Sequence, residues 1–388
     1  MSPSTTNSNS WVLTNELSVT PLKRISPSRF TALKECRLRE LWRAGGCFPL
    51  LPLAPAAKLG TAIHNLLELA GKGQFADLKF ADIDAKFDSL IKDTEATMKQ
   101  SWLECFLVPL ENIIPDYQVR RIRALKKAAE IAASVERSQA KTAPKSIFEG
   151  YELWLESKDG LVGGKIDQIV ETKEGSILRD YKTGYILEKP IDGVATEVKE
   201  SYQKQLKLYA ALYEDKFGRW PTHLEVVPLS GNEWEIAFRP EECKEIFEVA
   251  KLLLKDVNAA VDSNNETSQF KGLATPTQMG CRFCEYRPGC KVYHDQRANS
   301  EDPGWLNDIW GEILEQKVLG NGRILLRLEK KNKPNTIFNI RGLSQVKERH
   351  PALYETNVGD FVGIYNLRGN MSTGSFVEGP YTIIYKQK

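Results

Sequence analysis

Two carboxylates and a lysine stand near the ends of two consecutive predicted strands. Asp167 follows a Gly-Gly-Lys-Ile segment, and Asp180 and Lys182 end the next strand. Side chains alternate along a strand, so Asp180 and Lys182 share one side, where Asp167 can converge with Asp180. Carboxylate oxygens are hard ligands that suit Mg²⁺ or Mn²⁺. A lysine beside such an ion can orient a water or stabilise developing phosphoryl charge. A polar strand end that runs into a turn is the simpler interpretation of so short a segment.

Three cysteines lie within ten residues, as Cys281 and Cys284 in a Cys-x-x-Cys pair followed by Cys290. Such a cluster of thiolates favours a soft metal. A four-cysteine zinc site commonly has two Cys-x-x-Cys pairs, and only one is present. Spacing alone therefore leaves iron–sulfur and zinc open, with His294 as one candidate fourth ligand. The other cysteines without partners at metal spacing are interpreted as buried apolar residues or free thiols: Cys47, Cys105 and Cys243.

The period of apolar residues predicts the elements that position these groups. Strands are expected at 147–156, 161–171, 176–181, 223–228 and 233–238. The first two are joined by Asp159-Gly160, a strong hairpin signal. Helices are expected at about 26–43, 59–70, 202–217 and 241–262, with two or three more between 80 and 140. The order predicts an α/β domain.

The residues after Asp302-Pro303-Gly304 have a different pattern. Strands are suggested at 309–319, 323–330, 336–341, 360–367 and 376–386, with a helix from Ser344 to about Tyr354. Three strands, a helix and two strands is the order of an OB-fold, so residues 301–388 are predicted to form a small all-β, OB-like domain.

Composition limits the class of protein. The 388 residues carry a formal net charge of +2, which argues neither for nor against nucleic acid. No run of about 20 apolar residues predicts a membrane span, and the first residues do not resemble a secretory signal. Residues 1–23 are expected to be a disordered lead. Without an export signal, seven cysteines indicate reduced thiols or metal ligands, and a cytoplasmic location, nucleoid-associated if bacterial, is expected.

The chain resembles the PD-(D/E)XK nucleases of the RecB and AddB type, a group that includes CRISPR-associated nucleases, over roughly residues 24–295. The resemblance rests on Asp167 followed by Asp180-Tyr181-Lys182. It implies a restriction-endonuclease-like mixed sheet flanked by helices at 24–300. It also implies a metal-dependent DNA nuclease whose catalytic residues are Asp167, Asp180 and Lys182.

The same resemblance implies further site residues. His64, in a Gly-x-x-x-His pattern that starts at Gly60, and the backbone carbonyl of Tyr181 would join the acidic pair as ligands. Gln205 and Tyr209, in a Gln-x-x-x-Tyr element, would position DNA or the lysine. Cys36 would complete a [4Fe–4S] site with the three clustered cysteines, and Zn²⁺ is the alternative.

The expected partner is DNA, single-stranded or with free ends, in repair, recombination or defence. No Gly-x-x-x-x-Gly-Lys-(Ser/Thr) element occurs, so a motor would come from a separate helicase or other protein. The alternatives are a catalytically silent scaffold and a zinc-containing protein that binds DNA or a partner. Basic groups that could contact DNA are Arg37, Arg39 and Arg43, then Arg120, Arg121, Arg123, Lys126 and Lys127, then Arg323, Arg327, Lys330, Lys331 and Lys333. The last group is accompanied by aromatic residues that could stack on unpaired bases, although for any single one a place in the core of the domain is the favoured interpretation: Trp310, Phe338, Tyr365 and Phe376.

Overall fold

A computed structural model describes residues 11–13, 17–76, 79–139, 150–188, 197–264, 270, 272–298, 300, 302, 304–330 and 335–387. The helices of this part are α1 (Phe30–Glu35), α2 (Arg37–Ala44), α3 (Pro55–Gly71), α4 (Phe80–Lys99), α5 (Leu110–Ile113), α6 (Tyr117–Gln139), α7 (Glu200–Phe217), α8 (Pro240–Asn264), α9 (Gln278–Arg282) and α10 (Lys291–Ala298). The strands are β1 (Val12–Leu13), β2 (Gly150–Glu156), β3 (Gly163–Thr172), β4 (Gly175–Lys182), β5 (His223–Pro228), β6 (Trp234–Glu235), β7 (Ile309–Val318), β8 (Ile324–Lys330), β9 (Ile337–Leu343), β10 (Phe361–Tyr365), β11 (Arg368–Asn370), β12 (Ser375–Val377) and β13 (Ile383–Gln387).

The first sheet has the order β2-β3-β4-β5-β6 and is antiparallel except between β4 and β5. Helix α7 links these two strands, which lets them run parallel. Leu178 of β4 packs in a core with α7 and α8, whereas Tyr181 packs in a second core with α3, α4 and α6. The sheet is therefore covered on both faces. The predicted mixed α/β fold is confirmed.

The helix expected at 26–43 is interrupted. A 3₁₀ turn at Pro27–Arg29 leads into α1, and Cys36 then adopts an extended conformation with φ −155° and ψ 104° before α2 begins. The prediction of one continuous helix is wrong at this position. The extended conformation of Cys36 ends α1 and leaves this residue at the junction with α2.

The seven C-terminal strands and β1 form the second sheet, which has eight strands in the order β1-β13-β10-β7-β8-β9-β12-β11. The final segment of the chain pairs at both sides, because β12 joins β9 and β13 joins β10. Strand β1 pairs in parallel with β13, and the indole N–H of Trp11 donates to Glu355 Oε2 at 2.6 Å. The prediction of a disordered lead is thus wrong for residues 11–13, which are held by backbone pairing. Residues 1–10 and 14–16 lie outside the described part.

The helix expected from Ser344 to Tyr354 is not formed. Its place holds a 3₁₀ turn at Pro351–Tyr354, preceded by His350 at φ −136° and ψ 64°. A residue before proline is disfavoured in the α-helical region, so Pro351 prevents a helix from running through His350. The OB-like assignment stays a prediction. Among the described helices, none combines the length and apolar composition needed to cross a membrane.

A buried arginine joins the cysteine loop to the second sheet. Arg287 Nε donates to Asp308 Oδ2 at 2.9 Å, and its side chain also donates to Asn366 Oδ1 at 2.6 Å. Its remaining amino group donates to the backbone carbonyls of Cys281 at 2.9 Å and Cys284 at 3.1 Å. The side chains of Arg287 and Asp308 are only 2% and 0% exposed, so water cannot replace either partner.

This arrangement predicts strong coupling between the ion pair and stability. Arg287→Met should lower the free energy of unfolding by about 3–5 kcal/mol, because it leaves the Asp308 carboxylate buried and unpaired. Arg287→Met combined with Asp308→Leu should recover part of that loss. Denaturant unfolding would measure both. The control is Arg327→Met in the exposed pair with Glu315, where about 0–1 kcal/mol is expected. Equal losses in the buried and exposed pairs would contradict the assignment.

Candidate active site

Strand β4 and helix α7 bring three polar side chains together. Lys182 Nζ lies 2.6 Å from Asp180 Oδ2. Gln205 donates from Nε2 to Asp180 Oδ1 at 2.6 Å, and its Oε1 accepts from Lys182 Nζ at 3.1 Å. Burial opposes the charged lysine, but Asp180 and then Asp167 outweigh it and hold the pKa of Lys182 above its ordinary value. The amide of Gln205 thus fixes both charged partners at once.

Asp167 lies beside this group on the neighbouring strand. Its Oδ2 accepts a hydrogen bond of 2.6 Å from the backbone N–H of Tyr181. Burial, and then the Asp180 carboxylate, raise the pKa of Asp167 well above its usual range. The two carboxylates are therefore close enough to repel each other. The phenol of Tyr181 points to the other face, where it donates to Gln168 Oε1 at 2.8 Å, while its carbonyl belongs to the strand segment between Asp180 and Lys182.

His64 reaches the same region from α3. A Cβ at Gly60 would stand 3.0 Å from Thr183 Oγ1, so glycine lets the start of α3 approach the end of β4. His64 follows one turn later. Burial lowers the pKa of His64, and the nearby Lys182 ammonium lowers it further against the opposing effect of Asp180. A neutral imidazole keeps a lone pair free to bind a metal.

Tyr209 has a different role from Gln205, although both stand on α7. The Tyr209 hydroxyl donates to the backbone carbonyl of Lys165, and the residue is only 2% exposed. It therefore supports β3 two residues before Asp167. Gln205 contacts the lysine directly.

Two residues near the site were missed in the sequence. Glu152 stands opposite Asp167 in the β2–β3 register, between the pairs Tyr151–Gln168 and Leu153–Ile166. Its φ is 53°, which is uncommon for a residue with a side chain. Burial, and then the Glu68 carboxylate, raise its pKa. The position of the Asp159-Gly160 turn predicts this pairing.

The second missed residue is Tyr202, whose ring lies 4.5 Å from Lys182 Nζ. It precedes Gln205 by three residues on α7, so helical spacing places both on one face. An aromatic face stabilises an ammonium group by cation–π attraction. Tyr202 and Gln205 together hold Lys182 in place.

The donor set can be tested for its fit to a divalent cation. Among the described residues, no group of three or more His, Cys, Asp and Glu side chains is arranged to hold a metal ion. The carboxylates instead face Lys182 and a backbone amide. However, Asp180 Oδ2 is buried and receives no hydrogen bond of acceptable angle, so its contact with Lys182 is an ion pair only. Two mutually repelling buried carboxylates, one with an unsatisfied oxygen, fit a hard cation.

The four predicted cluster cysteines line a single cavity. Cys36 enters from the break between α1 and α2, and Cys281, Cys284 and Cys290 enter from the loop. Burial raises the pKa of the Cys290 thiol to about 12 and raises that of Cys284 as well. His294 does not line this cavity.

The imidazole of His294 lies instead against Trp310, with ring centroids 4.6 Å apart. Its Nε2 is 3.2 Å from the Tyr365 hydroxyl. The alternative of His294 as fourth ligand therefore has no support in the structure. The remaining cysteines are free thiols: Cys47, Cys105 and Cys243.

Several of the residues predicted to contact nucleic acid have partners within the protein instead. Arg39 and Arg43 both form ion pairs with buried Glu40, and Arg121 pairs with Asp84 and Asp88. Of the two interpretations of the aromatic residues, the structure favours core over base stacking: Phe338, Tyr365 and Phe376 are buried, and Trp310 donates to the Tyr365 hydroxyl. Lys331 and Lys333 lie outside the described residues.

Comparison with known families adds an independent observation. A family model described as the PD-(D/E)XK nuclease superfamily matches residues 24–291. The match spans the first sheet, the helices on both of its faces and the cysteine loop. No curated protein matches the sequence significantly.

The repulsion between the carboxylates predicts a gain in stability when one is removed. Asp167→Asn should raise the free energy of unfolding in a metal chelator at pH 7, because burial and the Asp180 carboxylate disfavour the ionised form of Asp167. Because the pKa of Asp167 is raised on folding, proton binding at this carboxyl stabilises the folded state. This contribution to stability is complete below the usual pKa of about 3.9 and is lost as the pH rises through the folded-state pKa.

The gain in the Asp167→Asn protein should therefore vanish near pH 3 to 4. Denaturant unfolding across this pH range would measure it, with the surface variant Asp116→Asn as control. A destabilised Asp167→Asn protein at pH 7 would contradict the electrostatic account.

Proposed function

The chain belongs to the PD-(D/E)XK nuclease superfamily, and from that premise we propose that it is a deoxyribonuclease with catalytic residues Asp167, Asp180 and Lys182. Membership gives it a metal-dependent, nuclease-type function. One observation carries the residue assignment: Gln205 holds Asp180 and Lys182 together beside the buried Asp167. A polar strand end without function has no need of such a network.

The residues divide the chemistry between them. Asp167 and Asp180, with His64 and the Tyr181 carbonyl, would hold Mg²⁺ or Mn²⁺. Such an ion polarises a phosphoryl oxygen and lowers the pKa of bound water. Lys182 stays protonated because the carboxylates raise its pKa, so it stabilises the negative charge that grows on the phosphoryl oxygens.

Positioning is the task of α7. Gln205 and Tyr202 restrict the flexible side chain of Lys182, so little conformational entropy is lost when the transition state forms. Tyr209 keeps β3, and with it Asp167, at a constant distance from α7. His64 remains neutral and therefore does not compete with the cation for the carboxylates.

The finer assignment is to the RecB- and AddB-like iron–sulfur branch, acting as an exonuclease or end-processing enzyme on single-stranded DNA. It is supported by the order of the motifs along residues 24–300. The setting would be repair, recombination or defence, with a helicase as a separate chain. Residues 301–388 would form an OB-like domain, because the last segment of the chain pairs with both β9 and β10.

The cysteine cavity supports a [4Fe–4S] cluster. Four thiolates make such a site anionic, and the buried guanidinium groups of Arg39 and Arg287 also line the cavity. The resemblance to the iron–sulfur branch favours a cluster over one Zn²⁺, because Cys36 stands near the start of the domain and the other three cysteines stand at its end, as that branch arranges them.

The catalytic assignment predicts that Lys182→Ala loses at least about 100-fold in kcat on single-stranded DNA with Mn²⁺, as when one preorganised donor is removed. Equilibrium binding of Mn²⁺ should persist, because both carboxylates remain. Lys207→Ala on α7, where the lysine pairs with Glu242, serves as control and should retain activity. Full cleavage by Lys182→Ala would remove this lysine from the mechanism, and no cleavage by the wild type would favour the silent scaffold.

The cluster assignment predicts a brown protein after anaerobic preparation, with about four irons per chain. Cys284→Ser should lose the visible absorbance and most of the iron. Cys243→Ser should keep both, since this buried thiol is not part of the cavity. Metal analysis that finds one zinc per chain in a colourless protein would replace the cluster with the zinc alternative.

A further inference from the structure

A second cavity of about 410 Å³ lies between the N-terminal segment and the edge of the first sheet. One wall is formed by residues 22–29 and the start of α1. The opposite wall is formed by Trp154 of β2 and by Gly163, Gly164 and Lys165 of β3. The volume is within the range of about 300–1,000 Å³ typical of sites for small organic molecules.

The cavity adjoins the candidate active site. Lys165 in its wall precedes Asp167 by two residues, about 7 Å along an extended strand. Tyr209 also lines the cavity and donates to the Lys165 carbonyl. Gln205, one turn earlier on α7, contacts Asp180 and Lys182. A strand of nucleic acid with its phosphate at Asp167 and Asp180 can therefore place a neighbouring nucleotide here.

The N-terminal segment packs closely against β3 at Gly164. A Cβ at Gly164 would lie 3.0 Å from Pro27 Cδ, 3.1 Å from the Tyr209 hydroxyl and 3.2 Å from Ser26 Oγ. Glycine at this position lets the N-terminal segment run beside β3, where Ile25 pairs with Val162. The cavity thus has two backbone-supported walls.

The lining of the cavity includes an aromatic ring and positively charged side chains. Trp154 is 45% exposed, and the guanidinium of Arg24 lies 5.3 Å from its ring while pairing with Glu156. Leu22 and Leu33 add apolar surface. Arg29 is exposed at the rim and has no ion-pair partner among the described residues. The cavity therefore offers an apolar face for a base and a free cation for a phosphate.

The carboxylates nearby do not reverse this charge. Glu40, which also lines the cavity, has Arg39 and Arg43 within 3.1 Å and 2.9 Å of its Oε1. Glu156 is paired with Arg24. Lys165 Nζ is 3.5 Å from Glu152 Oε2, so Arg29 is the cation most free to meet a phosphate.

We infer that this cavity binds one unpaired nucleotide next to the scissile phosphate, with its base against Trp154 and its phosphate at Arg29. The inference rests on the proposed nuclease function and makes the strand preference a property of the cavity. A base within a duplex is stacked and paired, so it cannot enter. An unpaired base enters without that cost.

The test uses the full-length protein with Mn²⁺ and single-stranded DNA that carries one abasic site, moved one position at a time. Cleavage by the wild type should fall about tenfold in kcat/KM when the abasic site is at one constant distance from the cut, the size expected for one base stacked on an aromatic ring. Trp154→Ala should lose this dependence on position, and Trp154→Phe should keep most of it.

Trp234→Ala is the matched control, because this indole is exposed at the opposite edge of the same sheet. Arg29→Gln should weaken binding and reduce the salt dependence by about one phosphate contact. Cleavage with no dependence on abasic position, or with equal behaviour of Trp154→Ala and Trp234→Ala, would overturn the subsite but leave the nuclease assignment intact.

A binding arm separates the two proposals further. The same oligonucleotides are titrated into Lys182→Ala protein, and the abasic position that slows cleavage should also weaken binding about tenfold. If the wild type cleaves no DNA while binding still depends on Trp154, the nuclease proposal fails and the subsite stands. Binding that is indifferent to Trp154 overturns the subsite.

Discussion

The burial of negative charge at Asp167 and Asp180 is the constraint on which the rest of the structure depends. Two carboxylates in contact inside a protein are unfavourable unless cations or hydrogen-bond donors compensate them. Lys182, Gln205 and the Tyr181 amide supply part of that compensation. The remainder is what a bound cation would add at Asp180 Oδ2, which has an ion pair with Lys182 but accepts no hydrogen bond. The site is therefore less stable than it could be, a common cost of function.

The surrounding elements follow from that constraint. Helix α7 must lie against β4 to deliver Gln205, and it connects β4 to β5 in a parallel pair. Helix α3 must begin close to the end of β4, which Gly60 allows. Tyr209 ties α7 to β3. These contacts hold the charged groups of the site in place, so the electrostatics of the site depends on how the helices pack on the sheet.

The cysteine loop links the site to both ends of the chain. Cys36 and the loop face one cavity, so a cluster there would hold α1 and α2 against the end of the matched region. Arg287 also donates to Asp308, which precedes β7, and to Asn366, which follows β10 of the second sheet. The N-terminal strand β1 joins that same sheet through β13. Residues of the segment 22–29 and Leu33 of α1 line the nucleotide-sized cavity, and Cys36 at the end of α1 lines the cysteine cavity, so the two sites share the first helical region.

Much of this could be predicted from the sequence, because donor types and local periodicity are local properties. The Asp159-Gly160 turn and alternating apolar residues predicted the hairpin that carries Asp167, and helical spacing predicted the helix that carries Gln205. The same local arguments failed where distant contacts decide. They predicted one helix at 26–43, although the helix is interrupted at Cys36. They also predicted that residues 11–13 are disordered, although residues 12 and 13 pair with the last strand.

The sequence by itself determined which chemical groups are available: hard carboxylates, a lysine and four thiolates in a family-like order. Only the tertiary structure decided which atoms meet. It put Tyr202 against Lys182, separated His294 from the cysteines and buried the aromatic residues of the second sheet. The physical reason is that the burial and pairing of a side chain depend on how whole elements pack. The periodic pattern of apolar residues predicts an element, but it does not identify the residue that a side chain contacts across the core.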